Sequence, residues 1–188
     1  MRMVVHWCNW EGRGLDHCSF VESDESLIIE GLAIGSQSEG YAAHYYVLTD
    51  GDFRTREVRV EFVGGPRMHL TADGQGNWHD MVSDEPVPLL AGCLDVDIAV
   101  TPATNTLPIK RLALDEKASR DIIVAYVPPV AYSASDFLPR VMTQRYTCLI
   151  PDKRYRYEST PRGFTAELQV DKYGLVLDYP EIFRRLSN

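Results

Sequence analysis

Thr55-Arg-Glu-Val-Arg-Val-Glu-Phe-Val63 alternates strictly: Val58, Val60 and Phe62 fall on one side and Glu57, Arg59 and Glu61 on the other. Successive side chains of an extended chain point to opposite faces, so a period of two predicts a strand with one buried and one solvated face. The apolar residues here are β-branched or aromatic, the types that pack well on a pleated surface.

The same alternation recurs outward from this stretch. Phe164, Ala166, Leu168 and Val170 alternate with Thr165, Glu167, Gln169 and Asp171, and Tyr155 and Tyr157 oppose Arg154 and Arg156 within Lys153 to Tyr157. Further strands are expected at Met3 to Asn9, Leu15 to Glu22, Leu27 to Ile34, Tyr41 to Thr49, Met68 to Ala72, Val96 to Val100, Ile122 to Val127, Val141 to Leu149 and Leu175 to Tyr179. Asp50-Gly51, Gly64-Gly65-Pro66 and Asp73-Gly74 separate them, where glycine admits positive φ and aspartate bonds the local backbone. Helical periodicity is almost absent. The two best segments are Asp115 to Arg120 and Pro180 to Leu186, the latter opening on proline and ending on Arg184 and Arg185. The class is all-β with antiparallel pairing and short helical turns, and a dozen strands must curl into a barrel, a roll or two packed sheets to hide their edges.

The chain has 188 residues, a length that suits one domain, 1–188, with a sizeable core. Its formal charge of -8 argues against nucleic acid as a partner, because phosphate binding draws on clustered Lys and Arg. The four cysteines, Cys8, Cys18, Cys93 and Cys148, form no CxxC pair and are expected as free core thiols in a reducing, cytoplasmic compartment. No apolar run approaches the roughly 20 residues that cross a bilayer as a helix.

One segment breaks the pattern. Gly92 to Leu114, GCLDVDIAVTPATNTLPIKRLAL, gathers two acids, three threonines, an asparagine, two prolines and a Lys-Arg pair between apolar runs. Asp95 and Asp97 should share a strand face, and Asp97 is expected to meet Arg111 in a bidentate pair that pins the two arms of this elbow. Thr101, Thr104, Asn105 and Thr106 are read in two ways. They complete backbone hydrogen bonds in a segment without ladder partners, or they form a polar rim at the mouth of an apolar cavity, with Thr104 and Asn105 facing sugar hydroxyls and Arg111 or Lys110 near an anionic group. An aromatic platform for a sugar could come from Trp78, with Trp7 and Trp10 as further candidates, although a large aromatic after a turn is more often core. Tyrosines are spread through the chain, Tyr132 among them, and Tyr146, Tyr155 and Tyr157 rank highest because they lie on neighbouring strands.

Catalysis is the competing class. His6, His17, His44, His69 and His79, with Asp16, Asp80, Asp95 and Asp97, are ingredients for acid-base or metal chemistry, and the enzymatic alternative has Asp97 and a histidine act on a small polar or glycosylated substrate. No HxH, HxxxH or HxxE spacing places two ligands on one element, and Asp95-x-Asp97 would be only half of a hard-cation site. No catalytic residue, metal or cofactor is assigned. A third class, a sheet that binds protein partners without a ligand cavity, would declare itself as an exposed apolar patch.

Asp97, Thr101-Pro102, Thr104-Asn105-Thr106-Leu107-Pro108-Ile109 and Arg111-Leu112, together with Asp73-Gly74-Gln75-Gly76-Asn77-Trp78 and the tail Val170-Asp171, Gly174-Leu175-Val176, Asp178-Tyr179-Pro180, resemble the bacterial family described as putative glycolipid-binding. The resemblance spans nearly the whole chain. It implies a single spiral β-roll of many antiparallel strands, akin in shape to lipoprotein carriers whose half-open barrels hold acyl chains. It also implies a glycolipid or other amphiphile as ligand, bound without turnover, and brings no catalytic motif. The expected ligand contacts are Trp78, Asp97, Thr104, Asn105, Arg111, Tyr146, Tyr155 and Tyr157.

Overall fold

The computed structural model describes residues 1–35, 40–129, 137 and 139–187, so Tyr132 lies outside the described residues. Fifteen strands form one sheet: β1 (Arg2–Asn9), β2 (Gly14–Glu22), β3 (Leu27–Gly35), β4 (Tyr41–Thr49), β5 (Thr55–Phe62), β6 (Arg67–Ala72), β7 (Trp78–Asp80), β8 (Glu85–Pro86), β9 (Asp95–Ile98), β10 (Ser119–Val127), β11 (Arg140–Ile150), β12 (Arg154–Ser159), β13 (Phe164–Val170), β14 (Val176–Tyr179) and β15 (Phe183–Arg185). In space the order runs from β8 back to β1, then from β15 back to β9. Two meanders are therefore joined back to back, with β1 antiparallel to β15 through Trp7 opposite Arg185 and Asn9 opposite Phe183.

Alternation decides the faces as expected. On β5, Val58, Val60 and Phe62 are buried while Arg56, Arg59 and Glu61 are exposed, and on β13 Ala166, Leu168 and Val170 are buried between exposed neighbours. The sheet curls until its ends approach without closing. Thr55 N donates to Leu94 O at 2.9 Å and Gly92 N to Gly76 O at 2.9 Å, tying the segment before β9 to β5 and the β6–β7 turn. Gly76 sits at φ +93°, and a Cβ there would lie 2.6 Å from Gly92 Cα, so this join needs glycine.

Four expectations change. Pro180 to Leu186 is not a helix: Glu181 takes φ +68°, Ile182 N donates back to Tyr179 O, and the chain reverses into β15. Asp115 to Arg120 is a turn with Lys117 at φ +68° that runs into β10. The one α-helix among the described residues, α1 (Thr106–Leu112), lies inside the elbow, where Pro108 falls in the first turn and lacks only an N–H that has no helical partner there. Finally, β9 pairs with β10 in parallel, Asp97 opposite Tyr126, because the α1 crossover returns the chain in the same direction.

The centre of the roll is packed. Trp7, Phe20, Leu27, Ile29, Tyr45, Ile98 and Leu107 are almost fully buried in one cluster, and Tyr146, Tyr155, Tyr157, Leu168, Val176 and Tyr179 belong to a second. Leu107 of α1 belongs to the first and Ile109 to the second, so the helix plugs the roll and bridges both. All four cysteines are buried free thiols.

Candidate functional site

β9 supplies the chemistry of the site. Its apolar residues Val96 and Ile98 enter the central core, which turns Asp95 and Asp97 to the opposite face. They share a face but not a partner. Arg111, carried by the last turn of α1, donates from Nε to Asp95 Oδ1 at 3.0 Å and from a terminal nitrogen to Oδ2 at 2.6 Å. The bidentate pair of the elbow is thus Asp95 with Arg111, where Asp97 was expected. Burial raises the Asp95 carboxyl and the Arg111 bond opposes that shift.

Asp97 instead accepts a 2.6 Å hydrogen bond from Gln144 Nε2 of β11 and lines a cleft. Asn105, Tyr126, Tyr157, Ser159, Arg162 and Tyr179 share that cleft, whose volume is about 90 Å³. Enclosure by protein pushes the Asp97 carboxyl up to about 6, against the Gln144 bond, the Arg162 charge and Thr104. Arg162 stacks with its guanidinium carbon 4.5 Å from the Tyr126 ring centre and acts on Asp97 through space rather than by a hydrogen bond. Ser159 Oγ is buried in the cleft wall without a hydrogen-bond partner among the described residues. An unpaired buried hydroxyl costs about 1–3 kcal/mol, which a polar ligand atom in the cleft would relieve.

A second cleft of about 80 Å³ adjoins the first, sharing Ala99, Ile182 and Phe183. Asp16 lines it, along with Trp7, Arg13, Leu15, Ile34 and Tyr41. Tyr45 donates to Asp16 Oδ1 at 2.7 Å and Thr101 to Oδ2 at 2.5 Å, so one buried acid ties β2, β4 and the elbow together. Gly31, opposite Tyr45 on β3, leaves room for that phenol; a Cβ would run into its ring. Burial raises Asp16 to about 7, opposed first by Thr101 and then by Tyr45. Leu15 and Ile34 pair across β2 and β3 and are exposed at the rim.

Of the residues expected at a ligand, Asp97, Asn105 and Tyr157 meet in the first cleft. Tyr146 stands behind Asn105, donating from Oη to Asn105 Oδ1 at 2.9 Å, and Thr104 Oγ1 accepts from Ile98 N at 3.2 Å. Trp78 is buried with its Nε1 donating to Cys93 O at 2.9 Å, so it fixes β7 to the segment before β9 rather than facing a cleft. Tyr155 borders a separate hollow beside Lys110 and Lys172. Asp16, Ser159 and Arg162 are additions to the expected set. Two carry a signal: Asp16 is in phase with Cys18 and Phe20 on the buried face of β2, and Ser159 is in phase with Tyr155 and Tyr157 once β12 is extended by two residues. Arg162 sits in a turn, where no periodicity marks it. No histidine lines the Asp97 cleft, and no group of three or more His, Cys, Asp or Glu side chains converges as a metal site among the described residues.

The fold and the site define an all-β roll built from one curled sheet, packed at its centre and carrying a polar cleft beside its elbow. The chain belongs to the family described as "Putative glycolipid-binding", whose sequence pattern matches residues 4–185. It is similar to a DUF1089 family protein from Pseudomonas aeruginosa solved by crystallography, at 35% identity and a TM-score of 0.77, with 91% of this chain and 92% of that chain covered. A search of the curated proteins finds no match. No helix among the described residues is long and apolar enough to cross a membrane.

Proposed function

We propose that the chain binds the polar head of an amphiphile, a glycolipid or other acyl-bearing molecule, in the Asp97 cleft without turning it over. The observation that carries this reading is the joining of two unlike clefts through Ala99, Ile182 and Phe183. One offers a carboxylate, an amide, a guanidinium and an orphaned hydroxyl, the donors and acceptors that sugar hydroxyls and acidic groups require. The other leads past Trp7 to exposed Leu15 and Ile34, a path for apolar carbon. The central core is packed, so the acyl part lies along this rim and not inside the roll as in a hollow carrier. Direct contacts fall to Asp97, Asn105, Tyr157, Ser159 and Arg162, while Thr104, Arg111 and Tyr146 support them from behind. The family description agrees with such a ligand. The free thiols fit action in a reducing, cytoplasmic compartment.

The test is direct. Protein purified under native conditions is extracted with organic solvent and the extract read by mass spectrometry for lipid. Displacement of an acyl fluorophore by candidate glycolipids then gives an affinity, which Arg162→Ala and Asp97→Asn should weaken roughly tenfold each, the loss of about one charge-assisted hydrogen bond. An empty extract together with no displacement by any lipid would sink the reading.

A further inference from the structure

We propose that His6 and His17 form a two-imidazole chelate for a divalent transition-metal ion on the outer face of the roll. The two residues are directly opposite each other on β1 and β2. Their rings meet edge to face, with His6 Nε2 and His17 Nδ1 2.8 Å apart and one N–H donating to the other nitrogen. The remaining three histidines each face a carboxylate: His44 meets Glu30, His69 meets Glu57 and His79 meets Asp84. Among the described residues, the side chains of His6 and His17 have only each other as hydrogen-bond partners.

That spacing is the spacing of cis ligands. With metal–nitrogen bonds of about 2.0–2.1 Å, nitrogens 2.8 Å apart subtend about 86° at the ion, the angle of neighbouring positions in tetragonal or octahedral coordination. Imidazole nitrogens suit nickel, copper and zinc, and the square arrangement favours Ni²⁺ and Cu²⁺ over tetrahedral Zn²⁺. The donor ring takes its other tautomer, its proton passing through solvent from the shared nitrogen to the far ring nitrogen. Each ring then turns a lone pair towards an ion seated beside the N–N line, and water fills the other positions. Both rings reach solvent, so nothing packed has to move. The neighbours two residues away along each strand, Val4, Cys8, Leu15 and Ser19, carry no formal charge, and Cys8 Sγ is occupied by Arg184 Nε at 3.4 Å. Neither histidine lines the two clefts of the Asp97 site.

Ni²⁺ alone, titrated into the full, untagged chain at slightly alkaline pH and followed by calorimetry, should bind one ion per chain in the micromolar range. Loss of an outer partner already weakens metal sites about tenfold, so His6→Gln or His17→Gln should each weaken Ni²⁺ by at least that factor. Both variants lie on the surface, and unchanged circular dichroism would show that they fold. His44→Gln and Cys8→Ser should bind like the parent. Wild-type binding no tighter than that of the His6→Gln, His17→Gln double variant overturns the proposal, and so does equal loss in His44→Gln or Cys8→Ser.

Discussion

Asp95 and Asp97 stand two residues apart on one strand face, yet their fates differ because only Asp95 lies within reach of the guanidinium that α1 presents. The spacing of the elbow announced a carboxylate–arginine brace, and α1 chose between the two acids. That choice was not legible in the sequence: a seven-residue helix between β9 and β10 moves Arg111 by a distance that residue counting cannot give. Asp95 is fully buried, so Arg111→Met leaves a charge without compensation, and the expected cost is about 3–5 kcal/mol in urea unfolding. Adding Asp95→Leu to that variant should recover part of the loss, since removing both partners of a buried pair is far milder than removing one. Asp16 and Asp97 make stability depend on pH. Their folded values, about 7 and about 6, exceed the ordinary 3.8, so the folded chain holds these protons more tightly than the unfolded one. Their contribution is fully present below about pH 4 and is lost as pH rises towards 6 for Asp97 and 7 for Asp16, at roughly 1.4 kcal/mol for each pH unit climbed between the unfolded and folded values. Asp16→Asn should therefore flatten the fall in stability between about pH 5 and 7.5 relative to wild type, measured by urea melts across that range. An unchanged slope would show that Asp16 titrates as in water.

Strands whose two faces meet core and solvent were readable to within a residue or two, because alternation and burial are the same signal; β10 begins three residues before the expected Ile122, in the exposed stretch Ser119–Asp121 that has no buried face. β4 spans Tyr41–Thr49 as expected, and β5 stops one residue early at Phe62. Elements fixed by something other than two-faced burial were missed. β7, β8 and β15 are two or three residues long, too short for a period to register. The segment that forms β15 even carries helix signals, a leading proline and trailing arginines, which Glu181 in the left-handed region overrides by reversing the chain. The helix that does form was hidden by its Thr106 and Pro108 and is held by burial on both sides. Leu107 and Ile109 lie in different clusters, so α1 depends on packing rather than on propensity. Leu107→Ala should cost about 2–5 kcal/mol in chemical denaturation and loosen the Arg111–Asp95 pair carried by the same helix. A destabilisation below about 1 kcal/mol would mean that α1 sits on the roll instead of plugging it.

At the scale of the whole molecule, the resemblance foretold a spiral roll and the sheet order explains how one is made. Each meander is local, but among the described residues the two pair strand to strand only through β1 and β15, near opposite ends of the chain. The seam also positions the site: Ile182 and Phe183, at the start of β15, form the wall common to both clefts. What the sequence could not convey is that the interior is filled, since inward-facing tyrosines and tryptophans line a cavity or plug it with equal ease; here Trp7 closes the centre with its Nε1 donating to Val176 O at 2.8 Å. Stability and site should therefore fail together when the seam is opened. A chain ending at Pro180 leaves the facing edges of β1 and β14 unpaired, and open edges invite pairing with other chains. Such a chain should melt at least several degrees lower, the shift expected from about 1–2 kcal/mol in a protein of this size. It should also run as oligomers in size-exclusion chromatography and lose acyl-fluorophore binding. A truncated chain that stays monomeric, melts like the parent and still binds the fluorophore would place both the closure of the roll and the wall of the cleft elsewhere.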